Sequence, residues 1–438
     1  MGPRRTLIVG SAGHDYHVFN MVYRQDSHHV VLGFTSPHLC PDEMATYPPC
    51  LSGPLYPDGV PILCEDSLEH YIVSLGIKDV VLAYHEIPQD VALDLAGRIL
   101  AAGADLQLLS PERSMLSATK PVIAVSSTRS GAGKSPTTRY LARLLQSEGL
   151  KVAVARHPML LPPFVPGTLH RFTTIDGREV DACAGVSKDP LDLSEPDGPQ
   201  VYTGFDQAVV LGLAGAEADV IIWDGGGSDA PFVRPTLHIL VVDPLRAGDP
   251  VPDHPGEVCL RLADVVLINK CNTASIEQID QTMAQIDHIN PAAQVLTADS
   301  PVDVEGAELV RGRTVTIIED HISIQLDSLR PGAGMVAARE LGVSGIISPR
   351  PYASGRLARF YRLHPGAFQV APLLDQTEDT LAELKATLAA VPSEAIINAT
   401  RLDLTGILPD KPVARASYQL RPHDPEALVD LIHRALGR

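Results

Sequence analysis

Apolar residues come along this chain in short unbroken runs, each stopped by glycine or by a polar cluster. RTLIVG, HHVVLGFT and DVVLAYHEI open it, and PVIAV, KVAVAR, VIIWD, LHILVVDP and ADVVLINK follow from residue 121 onward. Runs of this length without polar alternation predict strands covered on both faces, as in a parallel sheet. Between them lie amphipathic stretches. GSAGHDYHVFNMVYR predicts a glycine turn and a helix, ILAAGADLQLL ends in a strand-like close, and a helix beyond Lys134 places Leu141, Leu144 and Leu145 on one face. Phe205 to Ala216 predicts a further helix, whereas residues 161–199 are proline-rich and weakly patterned, a loop long enough to be functional or disordered.

Strand–helix alternation of this kind predicts an α/β fold with parallel sheets and ligand groups at the carboxyl ends of strands. Three α/β units are expected: a Rossmann-like unit at 1–119, a P-loop nucleotide-binding unit at 120–320 and a smaller unit at 321–438. The last would hold HISIQLDSLRPGAGMVAARELG, SGIISPRPYASGRL, EAIINATRLDL and KPVARASYQL.

The chemistry concentrates where PVIAVSS turns into a helix. Ser130, Gly131, Ala132, Gly133, Lys134, Ser135 and Pro136 occupy that turn, the setting of a phosphate-binding loop. Glycines let backbone N–H groups close on phosphate oxygens, and the helix N-terminus adds positive potential. Lys134 would pair with the β- and γ-phosphates and Ser135 would hold Mg²⁺. The first glycine of the usual loop is replaced by Thr128, and Arg129 lies inside the loop, placed to stabilise a transferring phosphoryl group. VIIWD delivers Asp224 to a strand end, the form of a carboxylate that holds Mg²⁺. Asn269 and Lys270 would frame the base. Asn272 stands where a guanine-reading tetrad has aspartate, which favours ATP over GTP.

Fainter signals remain. Gly10 and Gly13 are spaced G-x-x-G rather than as a dinucleotide fingerprint, and they suggest an anion site at a helix start, with His14 and His17 nearby. Gly332 and Gly334 precede a helix and suggest a second such turn. Arg156 and His157 end a strand, Arg246 follows Asp243, and Arg350 follows another strand; with His14 these are the candidate substrate contacts.

Length and charge limit what such a site serves. The 438 residues suffice for about three domains of ~100–200 residues. Acidic residues outnumber basic ones 53 to 35, a formal charge of −18, which argues against a nucleic-acid partner. A small anionic substrate would therefore need a local cluster of cationic side chains. The cysteines Cys40, Cys50, Cys64, Cys183, Cys259 and Cys271 contain no CxxC pair and read as unpaired thiols, with a Cys40–Cys50 disulfide or metal pair the alternative. The first apolar run breaks at Gly10 and Gly13, so it reads as a strand rather than a signal peptide. No apolar stretch reaches the ~18 residues of a membrane span. The expectation is a cytoplasmic, homo-oligomeric (dimeric) protein with no membrane partner.

The loop TRSGAGKS, Thr128 to Ser135, resembles that of dethiobiotin synthetase and of cobyrinic-acid amidating enzymes. Over nearly its full length the chain resembles the cyclic 2,3-diphosphoglycerate synthetase family. The residues that carry the likeness are IVGSAGHDYHVFNMVYR, GPLYPDGVPI, AAGADLQLLSPE, TRSGAGKSPTTR, VARHPM, HRF, IIWDGGGSD, FVRPTLHILVVDPLRAG, ADVVLINK, GAGMVAA and PRPYASG. The resemblance implies a dethiobiotin-synthetase-type central unit and an ATP- and Mg²⁺-dependent ligase. Its nominal reaction is closure of a phosphoanhydride within 2,3-diphosphoglycerate, with Lys134, Arg129 and Asp224 as catalytic residues. The chain departs from the family pattern at 176–199, at 321–331 and at Asn272, so the same scaffold activating a different small acid is the alternative. A nucleotide-dependent switch or metallochaperone is another, weakened by the lack of CxxC; intact Lys134, Ser135 and Asp224 count against a non-catalytic nucleotide binder.

Overall fold

Segments such as VIAVSS and VIIWD carry no polar alternation because neither face of their strands meets water. In the computed structural model both are buried at every position. The structure describes residues 2–11, 13–37, 45–84, 87–129, 131–156, 174–175, 178–179, 187–190, 199–226, 228–246, 254–320, 332–367, 369–374, 378–400 and 411–438. It divides into two compact units, Met1–Asp299 with Pro422–Arg438, and Ser300–Arg421.

The first unit contains two sheets. The N-terminal one comprises β1 (Arg4–Val9), β2 (His29–Ser36), β3 (Ala45–Tyr47), β4 (Val60–Cys64), β5 (Asp79–Leu82) and β6 (Asp105–Gln107). Their order is β3-β4-β2-β1-β5-β6, and only β3 runs antiparallel to its neighbour. After β1 the chain builds outward to β2 and β4, then returns to the other side of β1 as β5. Such a reversal leaves a crevice outside the carboxyl ends of the strands. One face of this sheet buries Tyr16, Phe19, Phe34 and Tyr47, the other Leu7, Val9, Leu68, Ile72 and Leu95. Tyr16 stacks on Tyr47 at 4.6 Å and meets Phe34 edge-on at 4.9 Å.

The second sheet carries the glycine-rich loop. Its strands are β7 (Val122–Ser127), β8 (Val152–Arg156), β11 (Ser187–Pro190), β12 (Gln200–Thr203), β13 (Val220–Asp224), β14 (Leu237–Val242), β15 (Val265–Ile268) and β16 (Gln294–Asp299), while β9 (Thr174–Ile175) and β10 (Arg178–Glu179) form a separate ribbon. The order is β11-β12-β8-β13-β7-β14-β15-β16, and a short strand at Arg421–Pro422 completes the far edge. All pairs from β12 to β16 are parallel. The second unit has its own largely parallel sheet, ordered β17 (Val302–Glu305), β22 (Val413–Tyr418), β21 (Ala395–Asn398), β18 (Thr314–Asp320) and β19 (Gly345–Ile346), with β20 (Val370–Leu373) also beside β18. The fold is thus α/β with three largely parallel sheets, as the run pattern predicts. Among the described residues no helix is long and apolar enough to cross a membrane.

Both expected anion-binding turns differ from expectation, for one physical reason. At the first, the Asp15 carboxylate itself accepts from the backbone N–H of Gly13 at 3.0 Å and of Tyr16 at 2.7 Å. At the second, Glu319 accepts from the N–H groups of Gly334 and Met335 at 3.1 and 3.4 Å, and a Cβ on Gly332 would lie 2.2 Å from its carboxylate. Each turn is satisfied by a carboxylate from the chain itself, and the glycines make room for that carboxylate. Cys50, Cys64, Cys259 and Cys271 are unpaired thiols, as expected; Cys40 and Cys183 lie outside the described residues.

Candidate nucleotide site

The loop begins where β7 ends in Ser126 and Ser127 and finishes where helix α1 (Lys134–Ser147) begins. Gly131 and Gly133 have φ of +80° and +117°, values that side-chain-bearing residues rarely adopt. Gly133 is doubly constrained, because a Cβ there would sit 2.1 Å from Nδ2 of Asn269. Asn269 is wholly buried and its Nδ2 donates to the Ala132 carbonyl at 2.9 Å. Lys270 reaches the same loop, donating from Nζ to the Gly131 carbonyl at 2.7 Å and to Asp243 Oδ2 at 2.8 Å. Its φ of +60° is the only positive value outside glycine among the described residues. The pair expected to frame a base braces the loop through its Ala132 and Gly131 carbonyls.

Lys134 donates to Ser127 Oγ at 2.8 Å, and Ser127 Oγ donates in turn to the Arg129 carbonyl at 2.6 Å. Arg129 is buried, at 7% exposure. Ser135 and Pro136 form the first turn of α1 and are half-buried. Ser130 and His157 lie outside the described residues. Arg246 closes a short 3-10 turn after β14, and Arg350 is exposed on the second unit. His14 belongs to the crevice of the N-terminal sheet, where its Nδ1 donates to the Tyr84 carbonyl at 3.5 Å.

Adjacent parallel strands β8 and β13 bring Arg156 beside Asp224 in register. The guanidinium grips Asp224 Oδ2 through Nη2 and through Nε, the latter at 3.0 Å. Asp224 is 2% exposed, so a carboxylate there needs a cation, and the Arg156 guanidinium supplies one.

Beneath the loop lies a polar group that the sequence reading missed. Ser126 donates to His238 Nε2 at 2.6 Å, while His238 Nδ1 donates to the Leu262 carbonyl at 3.2 Å. Burial pushes the His238 pKa down to about 4, so the ring is neutral. Burial, with the Asp229 charge adding to it, pushes the Cys259 thiol up to about 12. Cys259 is an inert donor to the Ser228 carbonyl at 3.3 Å. A histidine inside the apolar run LHILVV was the one available signal. Helix α2 (Gly256–Leu262) brings Cys259 here, and it approaches the loop so closely that a Cβ on Gly256 would be 2.3 Å from the Thr128 carbonyl.

The residues present fit a nucleotide triphosphate with a divalent ion. Gly131 and Gly133 hold the positive-φ backbone that such a loop requires, and Lys134 opens the helix that follows. Among the described residues no cluster of three or more His, Cys, Asp or Glu forms a metal cage. One hydroxyl (Ser135) and one carboxylate (Asp224) are the sparse set that suits Mg²⁺, which takes its other ligands from phosphates and water.

No protein-family model matches the chain. It is 38% identical over 418 residues to the arginine synthetase ArcE of Thermococcus kodakarensis, covering 95% of this chain and 93% of that protein. It is 26% identical over 239 residues to the cyclic 2,3-diphosphoglycerate synthetase of Thermococcus sibiricus, covering 50% and 55% of the two chains. LpxK from Aquifex aeolicus, solved in complex with ATP, superposes with a TM-score of 0.41 at 12% identity over 84% of this chain and 99% of that one.

Proposed function

The chain belongs to the family of the arginine synthetase ArcE and is an ATP-dependent ligase, and we propose that it makes arginine or a close guanidino analogue. The observation that supports this reading is the extent of the likeness, which runs over 95% of the chain, whereas the likeness to a cyclic 2,3-diphosphoglycerate synthetase runs over half of it. A ligase that ends in arginine forms one of the carbon–nitrogen bonds of the guanidino group. The matching acceptor is a ureido oxygen. ATP phosphorylates that oxygen and leaves as ADP; ammonia then attacks the carbon, the carbon–oxygen bond breaks, phosphate departs and the nitrogen loses its extra proton.

Phosphoryl transfer of this kind asks for positioning and charge neutralisation more than for covalent catalysis. We assign the β- and γ-phosphates to Lys134 and the loop amides, and the transferring phosphoryl charge to Arg129. Ser135 and Asp224 would hold Mg²⁺, which neutralises phosphate charge when bound. Asn272 favours ATP over GTP, since its amide does not reproduce a carboxylate facing guanine. Arg156, His157, Arg246, Arg350 and His14 are the proposed substrate contacts, and a homodimer the proposed assembly.

A second reading, intramolecular phosphoanhydride closure in 2,3-diphosphoglycerate, is favoured by the shared half-chain and by the loop TRSGAGKS. One experiment separates the two. Phosphate release from ATP is followed with a ureido amino acid plus ammonia, and separately with 2,3-diphosphoglycerate, with products identified by amino-acid chromatography and ³¹P NMR. Arginine formed with the first pair supports the proposal. A cyclic phosphoanhydride from the second, with no arginine from the first, overturns it.

A further inference from the structure

The N-terminal sheet has a polar group at its switch point that the nucleotide site does not use. At or just beyond the carboxyl ends of β4, β2, β1 and β5 lie Glu65, Thr35, His14 and Tyr84 respectively. Thr35 Oγ1 donates to Glu65 Oε2 at 3.0 Å, and the Tyr84 hydroxyl donates to the same oxygen. Two hydroxyl donors thus hold one oxygen of the Glu65 carboxylate, which presents its acidic group to the crevice. Thr35 is wholly buried, whereas Glu65, Tyr84 and His14 are half-buried and line an accessible edge. The Asp15 carboxylate is close by: burial, then the charges of Glu65 and Asp15, push the Tyr84 hydroxyl well above its usual range. Asp15 itself caps the turn that an anion would otherwise enter. An anionic ligand group is therefore disfavoured here and a cationic one favoured.

The crevice also lies beside the nucleotide loop. Three residues beyond Tyr84, Ile87 exchanges backbone hydrogen bonds of 3.0 and 2.9 Å with His254. His254 is two residues from Gly256, which abuts the Thr128 carbonyl. On the other flank the His14 ring stacks on Phe232 at 5.8 Å and the His17 ring at 3.9 Å. Phe232 follows Asp224 within the same loop. Ligand groups bound at the carboxyl edge of the N-terminal sheet and at the P-loop thus approach the same segments of chain.

We infer that this crevice is the amino-acid subsite, with Glu65 accepting the ammonium of the acceptor substrate and Tyr84 and Thr35 holding Glu65 in place. This rests on the reading that the substrate is an amino acid. The full-length protein would be titrated calorimetrically with arginine, ornithine and putrescine, with ATP affinity and melting temperature measured on the same preparations. Glu65→Gln is expected to weaken binding of the cationic ligand by about 10- to 100-fold, the worth of one charge-assisted hydrogen bond, with ATP affinity unchanged. Tyr84→Phe is a positioning variant; it should raise KM for the amino acid a few-fold and leave kcat and the KM for ATP in place. Unaltered cationic-ligand binding by Glu65→Gln overturns the inference, as does a wild-type protein that binds none of the three. A wild-type protein that makes no arginine but binds ornithine or putrescine through Glu65 supports the crevice and overturns the arginine reading.

Discussion

Gly133→Ala tests the loop most directly, because two separate constraints meet there. The residue has φ +117° and ψ +23°, and a Cβ would fall 2.1 Å from Asn269 Nδ2. Holding a side-chain-bearing residue in such a conformation costs about 1–3 kcal/mol. Asn269 is at 0% exposure directly after β15, so its carboxamide yields only by leaving the Ala132 carbonyl. An unsatisfied buried amide adds about 1–3 kcal/mol. The variant should therefore lose about 2–6 kcal/mol of stability. The single tryptophan, Trp223, is buried on neighbouring strand β13, and its fluorescence reports this sheet during urea unfolding. The partner variant Asn269→Ala removes the atom that the added methyl group would strike. In the double variant the clash is gone and only the backbone strain remains, so the two costs should be sub-additive by about 1–3 kcal/mol. Strictly additive costs, or a Gly133→Ala loss under about 0.5 kcal/mol, would refute the argument.

Other outcomes follow from the same geometry. Lys134→Ala should abolish nucleotide turnover while the melting temperature holds within a few degrees; retained turnover would remove Lys134 from the site. Asp224→Asn leaves the Arg156 guanidinium against a neutral partner, so stability should fall by about 1.5–3 kcal/mol and the Mg²⁺ requirement should rise; an unchanged Mg²⁺ titration would assign the metal elsewhere. His238 is held neutral with its pKa pushed down from 6.5 to about 4. Between those values the unfolded chain binds a proton that the folded chain does not, so stability falls as pH drops from 6.5 to 4, by about 3 kcal/mol in total. His238→Gln should flatten that part of the stability–pH curve, and a curve of unchanged slope would show that another group carries the acid sensitivity.

The phosphate loop was legible in the sequence because its determinants are local. A buried strand, two glycines, a lysine and a helix start lie within fifteen residues, and the backbone geometry follows from that order alone. The parallel sheets were legible for a related reason: an apolar run without alternation has one stable environment. What the folded chain decided is which side chains meet. Arg156 faces Asp224 because β8 and β13, 68 positions apart, pair in register. Asn269 reaches Ala132 across 137 positions. Asp15 and Glu319 close the two turns that glycine spacing alone would leave open to an anion. Glu65 gains its meaning only when β4 and β5 bring Tyr84 to it from the far side of β1. Periodicity fixes what each segment becomes, since burial acts on one strand or helix at a time. The pairing of charges and donors depends on strand order and register, and those are set only when the segments pack together.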